Sequence, residues 1–337
     1  MDQYFKSYEE LDVHQLMLTD KARTLAYKNA IMNSKHLFEN KSVMDVGAGT
    51  GILSIFCTKA GAKKVYAVEA SDLSKLTEKV VIENKLNRIT VIHSKVEDID
   101  SNNLEKVDII ISEWMGFYLV HEGMLDSVLF ARDHFLKENG LLFPSIAKLY
   151  ASPCQLPSMY NFWADVYGVS MKCIGEEYRK TKSMKPEVLY VDEKDLLAES
   201  KLLAWLDLQC IDVQELDLLG GENYISVCNK DGNYQGICIW FDVEFPDGSE
   251  LSTSPFNEAT HWKQTAIVLP TDMDVVKGEP IAFKLELKRN PIKTRQYNME
   301  LVFLDASEVD HEVPCHCHMT KCIVMRTYID ELANDNS

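Results

Sequence analysis

Ser42-Val43-Met44-Asp45-Val46-Gly47-Ala48-Gly49-Thr50-Gly51 decides the fold. A short apolar strand runs into a tight glycine turn. Ile52 through Ala60 then has helical spacing, closed by Gly61. Outward from this unit the alternation repeats. Val65-Tyr66-Ala67-Val68-Glu69 is the next strand, followed by a helical stretch to about Lys85. Ile89-Thr90-Val91-Ile92-His93 is a third strand, and Val107-Asp108-Ile109-Ile110-Ile111-Ser112 a fourth, apolar enough to lie inside a covered sheet. Strands and helices in this order predict an α/β fold, a parallel sheet doubly wound with helices on both faces.

Beyond Phe143-Pro144 the pattern changes. Alternating runs such as Gly236 to Val243 and Ile281 to Leu287, punctuated by Asp231-Gly232 and Asp247-Gly248, predict hairpins in an antiparallel sandwich or barrel. The expected division is therefore residues 1–145 and 146–337. Between them Met159 to Met171 is aromatic-rich and helix-like, suited to a contact surface if exposed. The first residues lack the basic start and apolar run of a signal peptide, and no stretch approaches the ~20 apolar residues that span a bilayer. Nine cysteines, an odd number without a small-domain framework, read as mostly free thiols in a reducing compartment, so an intracellular protein is expected. A net charge of −17 disfavours nucleic acid and attracts basic partners.

The strand–turn–helix unit suits a nucleoside-type cofactor. Glycine lets the backbone approach a ligand closely, and the following helix presents free N–H groups and a positive dipole end. Gly47, Gly49 and Gly51 have Gly-x-Gly-x-Gly spacing, not the longer spacing favoured by dinucleotides. Glu69 ends the next strand 22 residues after Gly47, where a ribose-binding acid sits in doubly wound sites. Glu97, after the third strand, is placed by the same logic to reach a base's exocyclic amine. After the fourth strand comes Ser112-Glu113-Trp114-Met115-Gly116-Phe117-Tyr118-Leu119-Val120-His121-Glu122. Its two glutamates flank an apolar, aromatic turn. Buried carboxylates among aromatics need a cation, and a guanidinium, planar and permanently charged, is a natural mate.

These segments, with Tyr4-Phe5-Lys6-Ser7-Tyr8 and Thr260-His261-Trp262-Lys263-Gln264-Thr265, resemble the protein arginine methyltransferases, from about residue 4 to about residue 305. The resemblance implies a Rossmann-like S-adenosylmethionine-binding domain over 1–145 and a β-barrel substrate domain over 146–337. It implies a helical dimerisation arm at about 154–174, hence a homodimer. The product left from the cofactor is S-adenosylhomocysteine. By the same resemblance Glu113 and Glu122 clamp the substrate guanidinium. Glu69 binds the ribose, Gly47 lines the cofactor's path, Val96 and Glu97 lie at the adenine, and His14 is a cofactor contact. Arg23 pairs with the cofactor's carboxylate, and Phe5 and Tyr8 close over it. His261 pairs with Asp20, and Met17, Met124 and Trp262 shape the substrate pocket. The branch implied is type I, which forms asymmetric dimethylarginine on basic protein substrates such as Arg-Gly-rich or histone tails.

Methyl transfer from a sulfonium to a guanidinium joins two cations, so fixed negative charge and in-line alignment are the chemical demands. For the proton, His261 with Asp20 is one acceptor and a glutamate the other. His121 before Glu122 resembles a branch that favours the nucleus; nucleus and cytoplasm both stay open. Little or no amino-terminal extension is expected ahead of the Tyr4-Phe5 motif. His311, Cys315, His316, Cys317, His318 and Cys322 crowd together near the end. Adjacent Cys and His seldom make a clean tetrahedral site, so an exposed thiol-rich turn without metal is expected. Rival readings are a lapsed dimeric scaffold, a nicotinamide oxidoreductase and a small-molecule methyltransferase. The first conflicts with the intact site residues, the second with the glycine spacing, the third with the barrel and arm.

Overall fold

The computed structural model describes residues 8, 10–102, 104–312 and 315–335. Helices α1 (Leu11–Thr19) and α2 (Lys21–Asn33) and a single helical turn over Lys35–Phe38 precede the sheet. Strands β1 (Ser42–Val46), β2 (Lys64–Glu69), β3 (Ile89–His93), β4 (Val107–Ile111) and β5 (Leu136–Phe143) form a five-stranded sheet in the order 3-2-1-4-5. Every pairing is parallel. Helices α3 (Ile52–Lys59), α4 (Ser74–Glu83) and α5 (Leu125–Phe135) make the crossovers.

All five residues of β1 are buried, as an inner strand covered on both faces requires. The fifth strand escaped the sequence pattern because Leu136-Lys137-Glu138-Asn139-Gly140 is polar in its first half, and four of those residues are partly or fully exposed. The strand order reverses between β1 and β4. At such a switch point the two following loops diverge and leave a crevice at the carboxyl edge.

The antiparallel strands begin at Ile146. One sheet runs β7 (Glu187–Leu189), β12 (Gln264–Val275), β10 (Gly232–Glu244), β6 (Ile146–Cys154), β8 (Lys201–Asp207), with β11 (Glu250–Ser252) beside β10. A second has β14 (Tyr297–Leu304), β13 (Pro280–Arg289) and β9 (Leu218–Val227). Leu206, Tyr224, Ile237, Phe241, Phe283 and Leu285 from the two sheets share one continuous core with the parallel sheet. Of the two turn signals, Asp247-Gly248 joins paired strands β10 and β11, with Gly248 at φ +80°. Asp231-Gly232 does not make a hairpin. Strands β9 and β10 belong to different sheets, and Asp231 instead accepts the Lys277 N–H at 2.8 Å.

The expected helix over Met159 to Met171 is a series of short turns. A 3-10 turn spans Phe162–Ala164, and a small loop is closed by reciprocal Val166–Val169 hydrogen bonds of 2.9 and 3.1 Å. Tyr167 and Gly168 at its tip have positive φ, which no helix accepts. The exposed aromatic surface is present: Phe162, Tyr167 and Val169 are open, ahead of helix α6 (Lys172–Lys182). Among the described residues no helix is long and apolar enough to cross a membrane.

The candidate active site at the sheet's switch point

The loop after β1 is built for close backbone approach. Gly47, Gly49 and Gly51 have φ of +73°, +53° and +82°, a region costing an L side chain ~1–2 kcal/mol per residue. Gly47 and Ala48 both donate to the Val68 carbonyl at 2.9 Å, tying the turn to β2. Glu69, at the end of β2, accepts the Gly49 N–H at 2.9 Å with one oxygen. The other accepts from the Ser71 N–H and hydroxyl at 2.8 and 2.7 Å. It is a buried carboxylate that braces two loops while facing the cavity.

Asp45 does similar work one layer down, accepting from the Ser54 N–H at 2.9 Å and the Ser54 hydroxyl at 2.6 Å. Its other oxygen is buried without a partner among the described residues. Burial, with Glu69 nearby, pushes its pKa up to about 7 against the Ser54 bonds.

A cavity of about 340 Å³ opens between the β1 and β4 loops, within the range of small-ligand sites. Gly47, Gly49, Glu69, Val96, Glu97, Glu113, Glu122, His14, Met17, Met124, Tyr8, Arg23, His261 and Trp262 all line it. Gly51 does not. It begins α3 and faces α4, where a Cβ would stand 2.8 Å from Thr77 Cγ2. Asp20 also lies behind the wall rather than in it. Phe5 falls outside the described residues.

The β4 loop is a tight hairpin. Gly116 and Leu119 exchange N–H···O bonds of 2.9 and 3.0 Å, and a Cβ on Gly116 would sit 2.1 Å from the His121 carbonyl oxygen. The hairpin brings Glu122 back towards Glu113. Tyr118, Leu119 and Glu122 all have positive φ, backbone strain held by the surrounding contacts. Tyr8 donates to Glu122 Oε2 at 2.5 Å.

The antiparallel domain fastens this loop from outside. Trp262 Nε1 donates to the Met115 carbonyl at 2.8 Å. Arg295 Nη1 donates to the Glu122 carbonyl at 2.7 Å, and Glu122 N–H donates to the Arg295 carbonyl at 2.8 Å. Arg295 lines the cavity and was not singled out from sequence. It sits in the polar turn between β13 and β14, where no motif marks it. Ser127, in helix α5, donates to Glu97 at 2.5 Å and was missed too, since a lone helical serine carries no signal.

Arg23 donates to Glu113 Oε2 from Nε at 2.8 Å and from Nη2 at 2.6 Å; both side chains are less than a tenth exposed. The structure thus joins two residues that the family resemblance assigns to different ligand groups. His14 Nε2 lies 2.8 Å from the Tyr8 carbonyl, with its ring beside Gly49.

Asp20 caps α2 through the Arg23 N–H at 3.0 Å with one oxygen. Its other oxygen takes the His261 N–H at 2.8 Å and the ring Nδ1 at 2.7 Å. Burial would raise this carboxyl, but the His261 side chain and the backbone bonds outweigh it and hold the pKa below its ordinary value. An ionised carboxylate only accepts, so Nδ1 carries the hydrogen of this contact.

A doubly wound sheet, a glycine turn and a strand-end acid define a class, the nucleoside-cofactor methyltransferase fold. Comparison with known proteins agrees. Residues 30–122 match ribosomal protein L11 methyltransferase, and residues 145–308 match the arginine methyltransferase oligomerization subdomain. Protein arginine N-methyltransferase 6 of Danio rerio is 39% identical over 319 residues, covering 91% of this chain and 90% of its own. Protein arginine N-methyltransferase 1 of Caenorhabditis elegans is 39% identical over 318 residues, with the same coverage. The Trypanosoma brucei PRMT1 enzyme–prozyme heterotetrameric complex with AdoHcy superposes with a TM-score of 0.79 at 30% identity, covering 91% of this chain and 98% of that one. The chain belongs to the protein arginine methyltransferase family.

Proposed function

We propose that the protein transfers methyl groups from S-adenosylmethionine to guanidinium nitrogens of arginine in protein substrates, giving mono- and asymmetric dimethylarginine. The carrying observation is the convergence of Glu113, Glu122 and His261 on one cavity whose other wall is the glycine turn and Glu69. The donor set fits the cofactor. Glu69 suits a ribose diol, Glu97 an exocyclic amine, Arg23 a carboxylate, and the Gly47–Gly49 backbone a close approach. His14, Val96 and Tyr8 complete that wall. When bound, the cofactor supplies an electrophilic methyl on a sulfonium.

The chain's own residues do the rest. Glu113 and Glu122 hold the guanidinium by charge-assisted hydrogen bonds and offset the two approaching cations. Arg23 holds Glu113, Tyr8 and Arg295 hold Glu122, and this fixes the acceptor nitrogen's position. His261 Nε2, its ring oriented by Asp20, takes the proton that the methylated guanidinium sheds. Met17, Met124 and Trp262 shape room for a second methyl on the same nitrogen, Met adapting where a rigid side chain would not.

Basic substrates, such as Arg-Gly-rich or histone tails, suit a chain of net charge −17. A homodimer through the arm at about 154–174, where Phe162, Tyr167, Val169 and Ile174 are exposed, accords with the matched oligomerization subdomain. Nuclear or cytoplasmic residence suits nine free cysteines. The scaffold reading predicts a broken site and has no observation in its favour.

The test is incubation with labelled S-adenosylmethionine and an Arg-Gly-rich peptide, hydrolysis, and separation of the methylarginines. Asymmetric product is expected. Glu113→Gln should lower the rate at least ~10²-fold, in line with about 2.7 kcal/mol of lost electrostatic stabilisation. Symmetric or only monomethyl product would remove the type I assignment, and no product from several basic substrates would remove the activity.

A further inference from the structure

The cysteine- and histidine-rich segment near the end is not the exposed turn its sequence suggests. Cys317 and Cys322 are fully buried, and Cys315 and His311 are half-buried. One ligand atom from each of the four lies within 4.8 Å of all the others. His311 Nε2 is 3.0 Å from Cys315 Sγ, 3.0 Å from Cys322 Sγ and 3.4 Å from Cys317 Sγ, and Cys315 and Cys317 Sγ are 3.0 Å apart. His316 and His318, the neighbours that made the spacing look unsuitable, are turned elsewhere. His316 is exposed, and the His318 ring packs on Gly278 while its N–H donates to the Gly278 carbonyl at 2.9 Å.

We propose that His311, Cys315, Cys317 and Cys322 bind a structural zinc ion. Three thiolates and one imidazole are a donor set zinc takes in closed tetrahedral sites, at about 2.3 Å to sulfur and 2.0–2.1 Å to nitrogen. Tetrahedral ligands at those lengths stand roughly 3.5–3.8 Å apart, a few tenths of an ångström beyond the 3.0–3.4 Å separations above and inside the 4.8 Å that bounds all four atoms. An iron–sulfur cluster would call for a fourth cysteine. A disulfide would need about 2.05 Å between sulfurs, and all nine cysteines are free. Binding displaces three thiol protons to solvent and leaves the site with a net charge of −1. The guanidinium of Arg326 answers that charge. It donates to the Cys315 carbonyl, and to the Cys317 carbonyl at 3.2 and 3.3 Å, fixing the Cys-x-Cys loop.

The site's purpose follows from what it joins. Cys322 lies in the first turn of the terminal helix α7 (Thr320–Asp335), while His311 follows Val309, which packs on Ile225 and Ala282 of the antiparallel domain. Helix α7 buries little of its own apolar surface: Ile323, Val324, Met325, Tyr328 and Ile329 are all exposed. Metal ligation therefore anchors a helix that packing alone does not. None of the four ligands lines the methyl-transfer cavity. The segment also lies beyond residue 308, where the match to the oligomerization subdomain ends.

The full chain, expressed with zinc and purified under reducing, chelator-free conditions, should carry one zinc per chain by elemental analysis. Cobalt in its place should give the thiolate charge-transfer and visible bands of a tetrahedral site with three sulfur ligands and one nitrogen. A Cys315→Ser/Cys322→Ser variant should lose the metal, and the exposed pair Cys173→Ser/Cys210→Ser should keep it. Chelation should speed amide exchange across 320–335 and spare the parallel sheet. Zinc-free protein after reconstitution overturns the site, as does equal zinc in the Cys315/Cys322 variant. A Cys315–Cys317 disulfide in the unreduced, freshly purified chain overturns it too.

Discussion

The two walls of the methyl-transfer cavity are made in different ways. The β1–β2 wall is local: Gly49 is held by Glu69, 20 residues away, and Ser54 by Asp45, nine residues away. The β4 wall is remote: Trp262 reaches Met115 across 147 residues and Arg295 reaches Glu122 across 173. One wall is formed once the sheet is formed. The other is complete only when the antiparallel domain has docked on it. The wall proposed for the cofactor thus belongs to the sheet, and the wall proposed for the substrate belongs to the contact between the domains.

Substitutions can break that contrast. The largest effect is expected from Gly116→Ala. A Cβ 2.1 Å from a carbonyl oxygen forces the double-glutamate hairpin open, so methyl transfer should fall more than ~10²-fold, as for the loss of a fixed electrostatic contact. S-adenosylhomocysteine affinity by calorimetry should change little; a large drop would mean the two walls are not independent.

Next comes Arg295→Ala, which removes the bond to the Glu122 carbonyl. A loss of about 10-fold in kcat/KM for peptide is expected from ~1–2 kcal/mol of lost positioning, again with cofactor affinity kept. Glu69→Gln tests the opposite wall. The amide can no longer accept at both oxygens, so cofactor binding should weaken by roughly 1–2 kcal/mol, while peptide binding measured with saturating cofactor stays near normal.

The smallest effect is Asp45→Asn. The folded pKa is raised to about 7, so the stability linked to this proton is full below the unfolded value near 3.9 and lost as pH rises through about 7. The wild-type melting temperature should therefore decline between pH 5 and 8 more than that of Asp45→Asn. Parallel curves would remove Asp45 as the titrating group.

The same contrast explains what the chain revealed before folding. Ser42 to Gly51 with Glu69 was readable because a short-range strand–turn–helix unit writes its geometry into neighbouring residue types. The double-glutamate loop was readable as chemistry, though not as a hairpin. The Arg23–Glu113 pair, Arg295 and Ser127 were not readable. Each is an ordinary polar residue whose meaning comes from a partner brought in by tertiary contact. Strand β5 was hidden by its polar start, and Asp231-Gly232 misled because a turn sequence does not say which sheet its second strand joins. Between Met159 and Met171, aromatic content pointed to a contact surface if exposed, which Phe162 and Tyr167 are, but the helix reading failed, the positive φ at Tyr167 and Gly168 lying outside what apolar spacing records.

Asp20 carries a consequence beyond catalysis. One oxygen ends a helix of the first domain and the other grips a histidine of the second, so a single proton added there loosens both holds together. Because its pKa is depressed, that contribution is intact above the unfolded value near about 3.9 and disappears as the medium is acidified through the lower folded value. Acid would then release the helix cap and the His261 contact in one step, a weakening of the seam between the two domains at a single atom pair.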